Sequence, residues 1–375
     1  MFGKSQGPDK ARRATVRLNA ICPYFTMFPL SFPLGILERH ARRGQRVLDP
    51  FCGRGTTNFA ARLLDMQALG IDSNPVAAAI TTAKTVPTTP DEIMREARAI
   101  LDSTKACTVP SGEFWRWAFH PEVLDVLGRL RAALLHDSRS GARDALRGII
   151  LGAIHGPRQK LFPSYLSNQC TRTYSPKPRY AVNYWRSHRL IPQPVNVLEV
   201  IERRVRRYYS SKLPKAIGEV CLGDSRDPRM FELLSHQRFF DWVITSPPYY
   251  GMRTYIQDQW LRNWFLGGPQ DVHYATTGQL EHSSPEAYVR QIRKVWQNAA
   301  SVCRPNARMV IRFGGIRNRN VEPLDLIRLS LRDSGWRALT AHQAGTASRG
   351  RRQAEAFLTE SSNPVSEYDV WTTLS

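Results

Sequence analysis

Short apolar runs of strand length and longer apolar stripes at helical spacing alternate along this chain, and the changes from one to the other divide it into three parts. Between about residues 18 and 84 the pattern predicts an entry loop, a helix near Leu34–Arg43, a short strand through Arg46–Asp49 and a glycine turn. A second strand then ends at Gly70-Ile71-Asp72, and a helix begins near Pro75. Strand and helix in alternation predict a parallel sheet. From about 85 the stripes are helical, at Pro90–Ser103, Pro121–Leu135 and Ala142–Ile154. The Trp115, Trp117 and Phe119 cluster reads as core. A less regular stretch carries no continuous helical stripe until Val195–Tyr209.

Alternation resumes at Gly218–Leu222, Phe240–Thr245 and Arg308–Phe313, with a helix Pro285–Cys303 behind Ser284, an N-cap followed by proline at the first helical position. Trp336–Ala341 and Glu367–Leu374 read as a late antiparallel pair. The parts are therefore residues 1–84, 85–215 and 216–375, the middle one an insertion into a single α/β domain.

Composition sharpens this in one respect. The chain has 375 residues, 42% of them hydrophobic, enough for a sizeable core, yet 53 Lys+Arg stand against 32 Asp+Glu, a net charge of +21. From Arg158 to Lys215 there are 13 lysines and arginines against only Glu199 and Glu202. So large an excess favours a polyanionic partner, because each neutralised phosphate releases counterions. Lys160, Arg172, Lys177, Arg179 and Arg186 lie among aromatic and turn residues, while Arg203, Arg204, Arg206 and Arg207 crowd one end of the Val195–Tyr209 stripe. Phosphate positioning with aromatic contacts is the preferred reading, and a solvated charged face is the alternative.

The six cysteines, at 22, 52, 107, 170, 221 and 303, are scattered without metal-ligand spacing, so neither a disulfide framework nor a zinc site is expected, and a reducing cytoplasmic compartment is the default. Met1–Arg17 is polar and basic, and Pro23, Pro29 and Pro33 interrupt the apolar stretch downstream of it, which argues against a signal peptide or membrane helix.

Two stretches carry candidate chemistry. Thr245-Ser246-Pro247-Pro248-Tyr249-Tyr250 succeeds the apolar run Trp242-Val243-Ile244 and reads as a strand entering a rigid turn. Prolines donate no N–H and leave carbonyls to face a ligand, Ser246 adds a hydroxyl, and Tyr249 adds a ring. Together they suit a flipped base, which needs acceptors for its edge and an aromatic platform. Upstream, Asp49-Pro50-Phe51-Cys52-Gly53-Arg54-Gly55-Thr56 reads as strand, glycine turn and helix start, with Asp72 ending the next strand, where an acid suits ribose hydroxyls.

These two motifs resemble the cofactor and catalytic motifs of S-adenosylmethionine-dependent amino-methyltransferases of DNA, the cytosine-N4 and adenine-N6 group. Tyr24-Phe25-Thr26-Met27-Phe28-Pro29 is similar to the motif that covers the methionine end of the cofactor, and Leu222-Gly223-Asp224-Ser225 to the acidic motif near its adenine. The resemblance implies a Rossmann-like methyltransferase sheet, mostly parallel with a late antiparallel strand, plus a largely helical insertion for target recognition. It implies S-adenosyl-L-methionine as cofactor and double-stranded DNA as partner, and it allows a cognate restriction endonuclease and a nucleoid-associated, cytoplasmic setting.

Carried over by position, Asp49, Phe51, Gly53, Gly55 and Thr56 hold the cofactor, Asp72 its ribose, Asp224 its adenine amine, and Phe25 or Thr26 closes over the sulfonium. Ser246, Pro247, Pro248 and Tyr249 form the catalytic turn. Tyr250, Arg253 and Tyr255 either hold the base or its phosphate or pack. Ser246 at the head of the motif favours cytosine N4, with adenine N6 and an RNA base as alternatives. Direct transfer needs no covalent intermediate; a cytosine-C5 enzyme would need a Pro-Cys nucleophile, and Cys52 reads as packing.

Overall fold

The structure of the chain, a computed structural model, describes residues 15–24, 28–105, 107–137, 140–156, 165–168, 177–215, 218–235, 239–252, 259–273, 278–315, 321–346 and 366–375. The chain divides into a sheet unit, Tyr24–Thr81, Pro214–Thr254 and Thr276–Ser375, and a helical unit, Met1–Pro23, Thr82–Leu213 and Tyr255–Ala275. Two segments thus depart from the sequence expectation. Among the described residues, 15–23 and 259–273 group with the inserted unit and not with the flanking sheet segments.

The sheet unit has seven strands, β1 (Arg46–Asp49), β2 (Gln67–Asp72), β3 (Glu219–Leu222), β4 (Phe240–Thr245), β5 (Cys303–Gly314), β6 (Trp336–Thr346) and β7 (Ser366–Leu374), in the order β3-β2-β1-β4-β5-β7-β6. The pairs from β3 across to β5 are parallel, and β7 runs antiparallel to both of its neighbours. This is the mostly parallel sheet with one late reversed strand that the resemblance implies.

Successive residues of a strand point to opposite faces, and here both faces are covered, so the central strands read as apolar runs. Leu48, Leu69, Val243, Met309 and Ile311 face a core completed by Ile292, Val295 and Trp296 of the helix Pro285–Ser301 and by Leu326 and Ile327 of Pro323–Leu331. Their neighbours Val47, Ala68, Trp242, Ile244 and Val310 face a second core with Phe32, Ile36 and Leu37 of the helix Ser31–His40 and Ala60 and Ala61 of Thr56–Leu63.

Strand and helix limits differ from expectation for identifiable reasons. The first helix starts at Ser31, upstream of Leu34, because Pro33 falls in its first turn, where no intrahelical N–H is lost. β5 begins at Cys303, upstream of Arg308, because Arg304, Pro305 and Asn306 are exposed and give no apolar period. β6 runs past Ala341 to Thr346, and its exposed edge position leaves the pattern weak. Ser284 does cap its helix, accepting from Ala287 N–H at 3.1 Å.

In the helical unit, Pro90–Ser103 starts with a capping box of Thr89 and Glu92, and Pro121–His136, Gly141–Ala153 and Val197–Tyr209 come after it. One helix, Pro178–Ser187, lies where the sequence offered no stripe. It buries only Ala181, Val182 and Trp185, too short a repeat to register. Trp115 stacks on Phe119 with centroids 5.9 Å apart and meets Trp260 and Trp264, so these two aromatics are core, while Trp117 is half-buried.

Among the described residues no helix is long and apolar enough to cross a membrane, no group of side chains could hold a metal ion, and Cys22, Cys52, Cys107, Cys221 and Cys303 are free.

Trp296 is fully buried between sheet and helix, and its indole N–H donates to Ser330 Oγ at 3.0 Å. Trp296→Ala is therefore expected to lower unfolding free energy by about 3–5 kcal/mol, read from urea denaturation.

Candidate active site

The first loop of the site leaves the carboxyl end of β1. Cys52 N–H donates to Ile71 O at 3.0 Å and Gly55 N–H to Cys52 O at 2.7 Å, so the loop curls over the end of β2. Gly53 and Gly55 have φ of +51° and +72°, left-handed values that glycine adopts without cost. A Cβ at Gly55 would lie 2.5 Å from Thr81 Cγ2, which leaves no room for a side chain. Thr56 and Thr57 then start the helix, fully packed, and Thr57 Oγ1 donates to Ile244 O at 3.1 Å, tying the helix to β4.

Asp72, at the end of β2, organises this loop. Its Oδ2 accepts from Gly53 N–H at 2.9 Å and its Oδ1 from Asn74 N–H at 2.8 Å. Asn74 in turn donates to the Tyr24 hydroxyl at 3.1 Å, which fixes the residue just before Phe25 beside the loop. Phe25 and Thr26 themselves lie outside the described residues. Desolvation pushes the Asp72 carboxyl up to about 6. It is still ionised at neutral pH, with lone pairs left to accept from vicinal hydroxyls.

Asp49 is 1% exposed, and desolvation pushes it up to about 7, against the hydroxyls of Thr245 and Thr57 and against Phe51 N–H, which donates to its Oδ1 at 3.1 Å. Phe51 is half-buried, its ring set edge-on to Trp296 at 6.2 Å.

Asp224, expected at the adenine amine, is engaged elsewhere. Burial raises its pKa, but the guanidinium and backbone N–H of Arg226 outweigh this and hold it below the ordinary carboxylate value. Both of its oxygens accept from Arg226, so in this structure the acid caps its own turn. That turn is nonetheless drawn to the glycine loop, because Ser225 Oγ donates to Pro50 O at 2.6 Å.

The second loop leaves the carboxyl end of β4, the strand paired with β1 through Val47↔Trp242 and Leu48↔Val243. Parallel neighbours lie about 4.8 Å apart, so the Gly53 and Ser246 loops emerge side by side from one edge of the sheet. The chain order reverses between these two strands, and such a switch point leaves a crevice outside the strand ends.

Ser246 is half-buried and Pro247 buried. The Pro248 carbonyl, one of two expected to face a ligand, instead accepts the Tyr288 hydroxyl at 2.6 Å. Tyr249 also departs from expectation. Instead of presenting an open ring face it is only 8% exposed, its hydroxyl donating to Glu367 Oε1 at 2.7 Å and its ring set edge-on to Phe313 at 5.1 Å. The reason is tertiary, since β7 pairs with β5 and sets Glu367 opposite Gly314. Tyr250 packs on Tyr288 and His282, a core role, and Gly251 N–H donates to His282 Nδ1 at 3.1 Å. Arg253 and Tyr255 lie outside the described residues.

Sequence reading missed Thr57, His282, Tyr288 and Glu367.

In the helical unit Lys177, Arg179, Arg186, Arg203, Arg206 and Arg207 are exposed. Arg186 pairs with Glu113 and Arg206 with Glu202 at 2.6 Å, while Arg204 is half-buried over the Tyr165 ring at 5.1 Å. Lys160 and Arg172 lie outside the described residues.

Residues 4–83, which carry the glycine loop and Asp72, match the family model described as DNA methylase, a family that uses S-adenosylmethionine. No curated protein matches the chain. Solved structures with which it aligns include the rRNA methyltransferase aviRa of Streptomyces viridochromogenes, at 12% identity over 94% of this chain and 87% of that one with a TM-score of 0.37. Magnesium protoporphyrin IX methyltransferase of Synechocystis, with bound S-adenosylmethionine, aligns at 9% identity over 100% and 87% with a TM-score of 0.33. A putative DNA modification methylase of Thermus thermophilus aligns at 20% identity over 40% and 50% with a TM-score of 0.23. At such scores none of the three bears on substrate.

The residues present fit an S-adenosyl ligand. The glycine cradle admits a close backbone approach, and Asp72 stands at the strand end where ribose hydroxyls need an acceptor.

Asp72→Ala should weaken S-adenosylmethionine binding by about tenfold or more in calorimetry, since hydrogen bonds to a charged group contribute about 1.5–3 kcal/mol. The raised carboxyl of Asp49 makes a second expectation. The folded state holds its proton up to about pH 7, whereas the unfolded chain releases it near 3.8, so this group removes stability as pH rises between those values. Asp49→Asn should therefore raise the melting temperature at pH 8 relative to wild type by more than it does at pH 4, measured in matched buffers without ligand. Strand order, cradle and family match together give this chain the architecture of an S-adenosylmethionine-dependent methyltransferase.

Proposed function

We propose that the chain transfers a methyl group from S-adenosylmethionine to the exocyclic amine of a base flipped out of double-stranded DNA, cytosine N4 in preference to adenine N6. The observation that carries this reading is the side-by-side emergence of the glycine loop and the Ser246-Pro247-Pro248-Tyr249 turn from adjacent parallel strands at a switch point. One loop suits a nucleoside-bearing methyl donor and the other a planar amine.

When bound, the cofactor supplies an electrophilic methyl on a sulfonium. The work left to the protein is to make a poor nucleophile attack. An exocyclic amine shares its lone pair with the ring, and acceptors that take its two N–H bonds pull it toward tetrahedral geometry and localise that pair. In this reading Ser246 Oγ and the Pro247 carbonyl are those acceptors. The Pro248 carbonyl serves the turn itself through Tyr288, which leaves two acceptors for two N–H bonds. Tyr249, anchored at its hydroxyl, bounds the base. Holding amine and methyl in line supplies much of the remaining acceleration. Exposed arginines and lysines of the helical unit contribute phosphate contacts, which position the duplex without reading its sequence.

Incubation with labelled S-adenosylmethionine and duplex DNA, with mass spectrometry of the nucleosides afterwards, is expected to give N4-methylcytosine. N6-methyladenine would overturn the base preference, and label confined to RNA would overturn the DNA assignment. Ser246→Ala should lower kcat by roughly 10²-fold or more, as loss of a preorganised polar contact does, while leaving cofactor affinity within about twofold. Replacing Arg203, Arg206 and Arg207 together by alanine should lower the slope of log K against log salt by up to about 3 for duplex binding, one near-unit step per lost phosphate contact.

A further inference from the structure

A buried carboxylate stands directly behind the acceptor turn, and no motif announces it. Glu367, the second residue of β7, is 4% exposed, and its Oε1 accepts the Tyr249 hydroxyl at 2.7 Å across 118 residues of chain. This is the usual O–H···O length, and it lies within the range of a hydroxyl donating to a carboxylate. The neighbouring strand leaves the space that the pair occupies. A Cβ on Gly314 would fall 2.9 Å from Glu367 Cγ and 3.0 Å from Tyr249 Cε2, so only glycine at this end of β5 lets carboxylate and phenol meet. The same ring is fixed a second time by its edge-on contact with Phe313. Two fixed points, one at the hydroxyl and one at the ring, remove the freedom of Tyr249 to swing.

The geometry points to Glu367 as a positioning residue for methyl transfer, acting through Tyr249: it locks in place the ring that bounds the acceptor turn. The inference rests on the proposed amino-methyltransferase reading. Its physical basis is preorganisation. The amine must meet the methyl in line, and a ring pinned at its hydroxyl and at its edge cannot drift and let the base turn out of that line.

The test compares wild type, Glu367→Gln, Tyr249→Phe and the double variant, each as full chain. Glutamine keeps the shape and an acceptor oxygen but removes the charge. Glu367→Gln is expected to lower kcat about tenfold, the scale of one charge-assisted hydrogen bond, with the KM for S-adenosylmethionine unchanged. The double variant should be no slower than Tyr249→Phe, because both changes interrupt one pathway. Independently of activity, carbon-13 labelling of tyrosine Cζ should show the resonance that vanishes in Tyr249→Phe shifting in Glu367→Gln. Should Glu367→Gln turn over like wild type, should the two losses multiply, or should the Tyr249 resonance stay in place, the positioning role is overturned. A wild-type chain that binds S-adenosylmethionine but methylates neither DNA nor RNA overturns the reading beneath it instead.

Discussion

The parallel pairing of β1 with β4 is the constraint on which the rest of the sheet unit depends. Two strands nearly two hundred residues apart are aligned through Val47↔Trp242 and Leu48↔Val243, and the alignment is pinned at both ends. At the amino end Arg46 N–H donates to Asp241 Oδ2 at 2.8 Å, and at the carboxyl end Thr57 Oγ1 donates to Ile244 O at 3.1 Å. A shift of register by one residue would turn every side chain of a strand to the opposite face, exchanging Leu48 with Val47 and Val243 with Trp242 between cores of different shape. Burial on both faces therefore fixes where the two functional loops emerge.

From that pairing the site is assembled in layers of decreasing locality. The glycine loop is stabilised by near neighbours, Asp72 holding Gly53 and Asn74 within one strand–loop–helix unit. The acceptor turn has almost no local support. Its Pro248 carbonyl is held by Tyr288, its Tyr249 hydroxyl by Glu367 and its Gly251 N–H by His282, three residues from later parts of the chain. A turn rich in proline can form few backbone hydrogen bonds of its own, so distant side chains supply them. This makes the late antiparallel strand β7 part of the acceptor side of the site and more than an edge cover.

The electrostatics separate along the same division. Positive charge is concentrated in the helical unit, where several arginines are exposed and several are tied to acids or aromatic rings, while the sheet unit places two acids, Asp49 and Asp72, at the carboxyl ends of adjacent strands. Asp49 and Asp72 are both shifted upward by desolvation, to about 7 and about 6. A cation brought close to such groups would favour their ionised forms.

The sequence by itself determined the elements whose chemistry is local. The apolar runs of the central strands, the glycine turn at 53 and 55, the acid at 72 and the Pro-Pro-Tyr turn were all legible, because each depends on backbone geometry or on a few adjacent residues. The tertiary structure decided what hangs on contacts between distant segments. It buried Tyr249 against Glu367, gave the Pro248 carbonyl to Tyr288, turned Asp224 onto Arg226, and joined residues 15–23 and 259–273 to the helical unit. It also extended β5 and β6 into exposed residues and formed the helix Pro178–Ser187 on three buried side chains. The physical reason is the same throughout: backbone preference and apolar period are written in neighbouring residues, whereas the partner of a hydroxyl, a carbonyl or a carboxylate is chosen only when the chain has closed on itself.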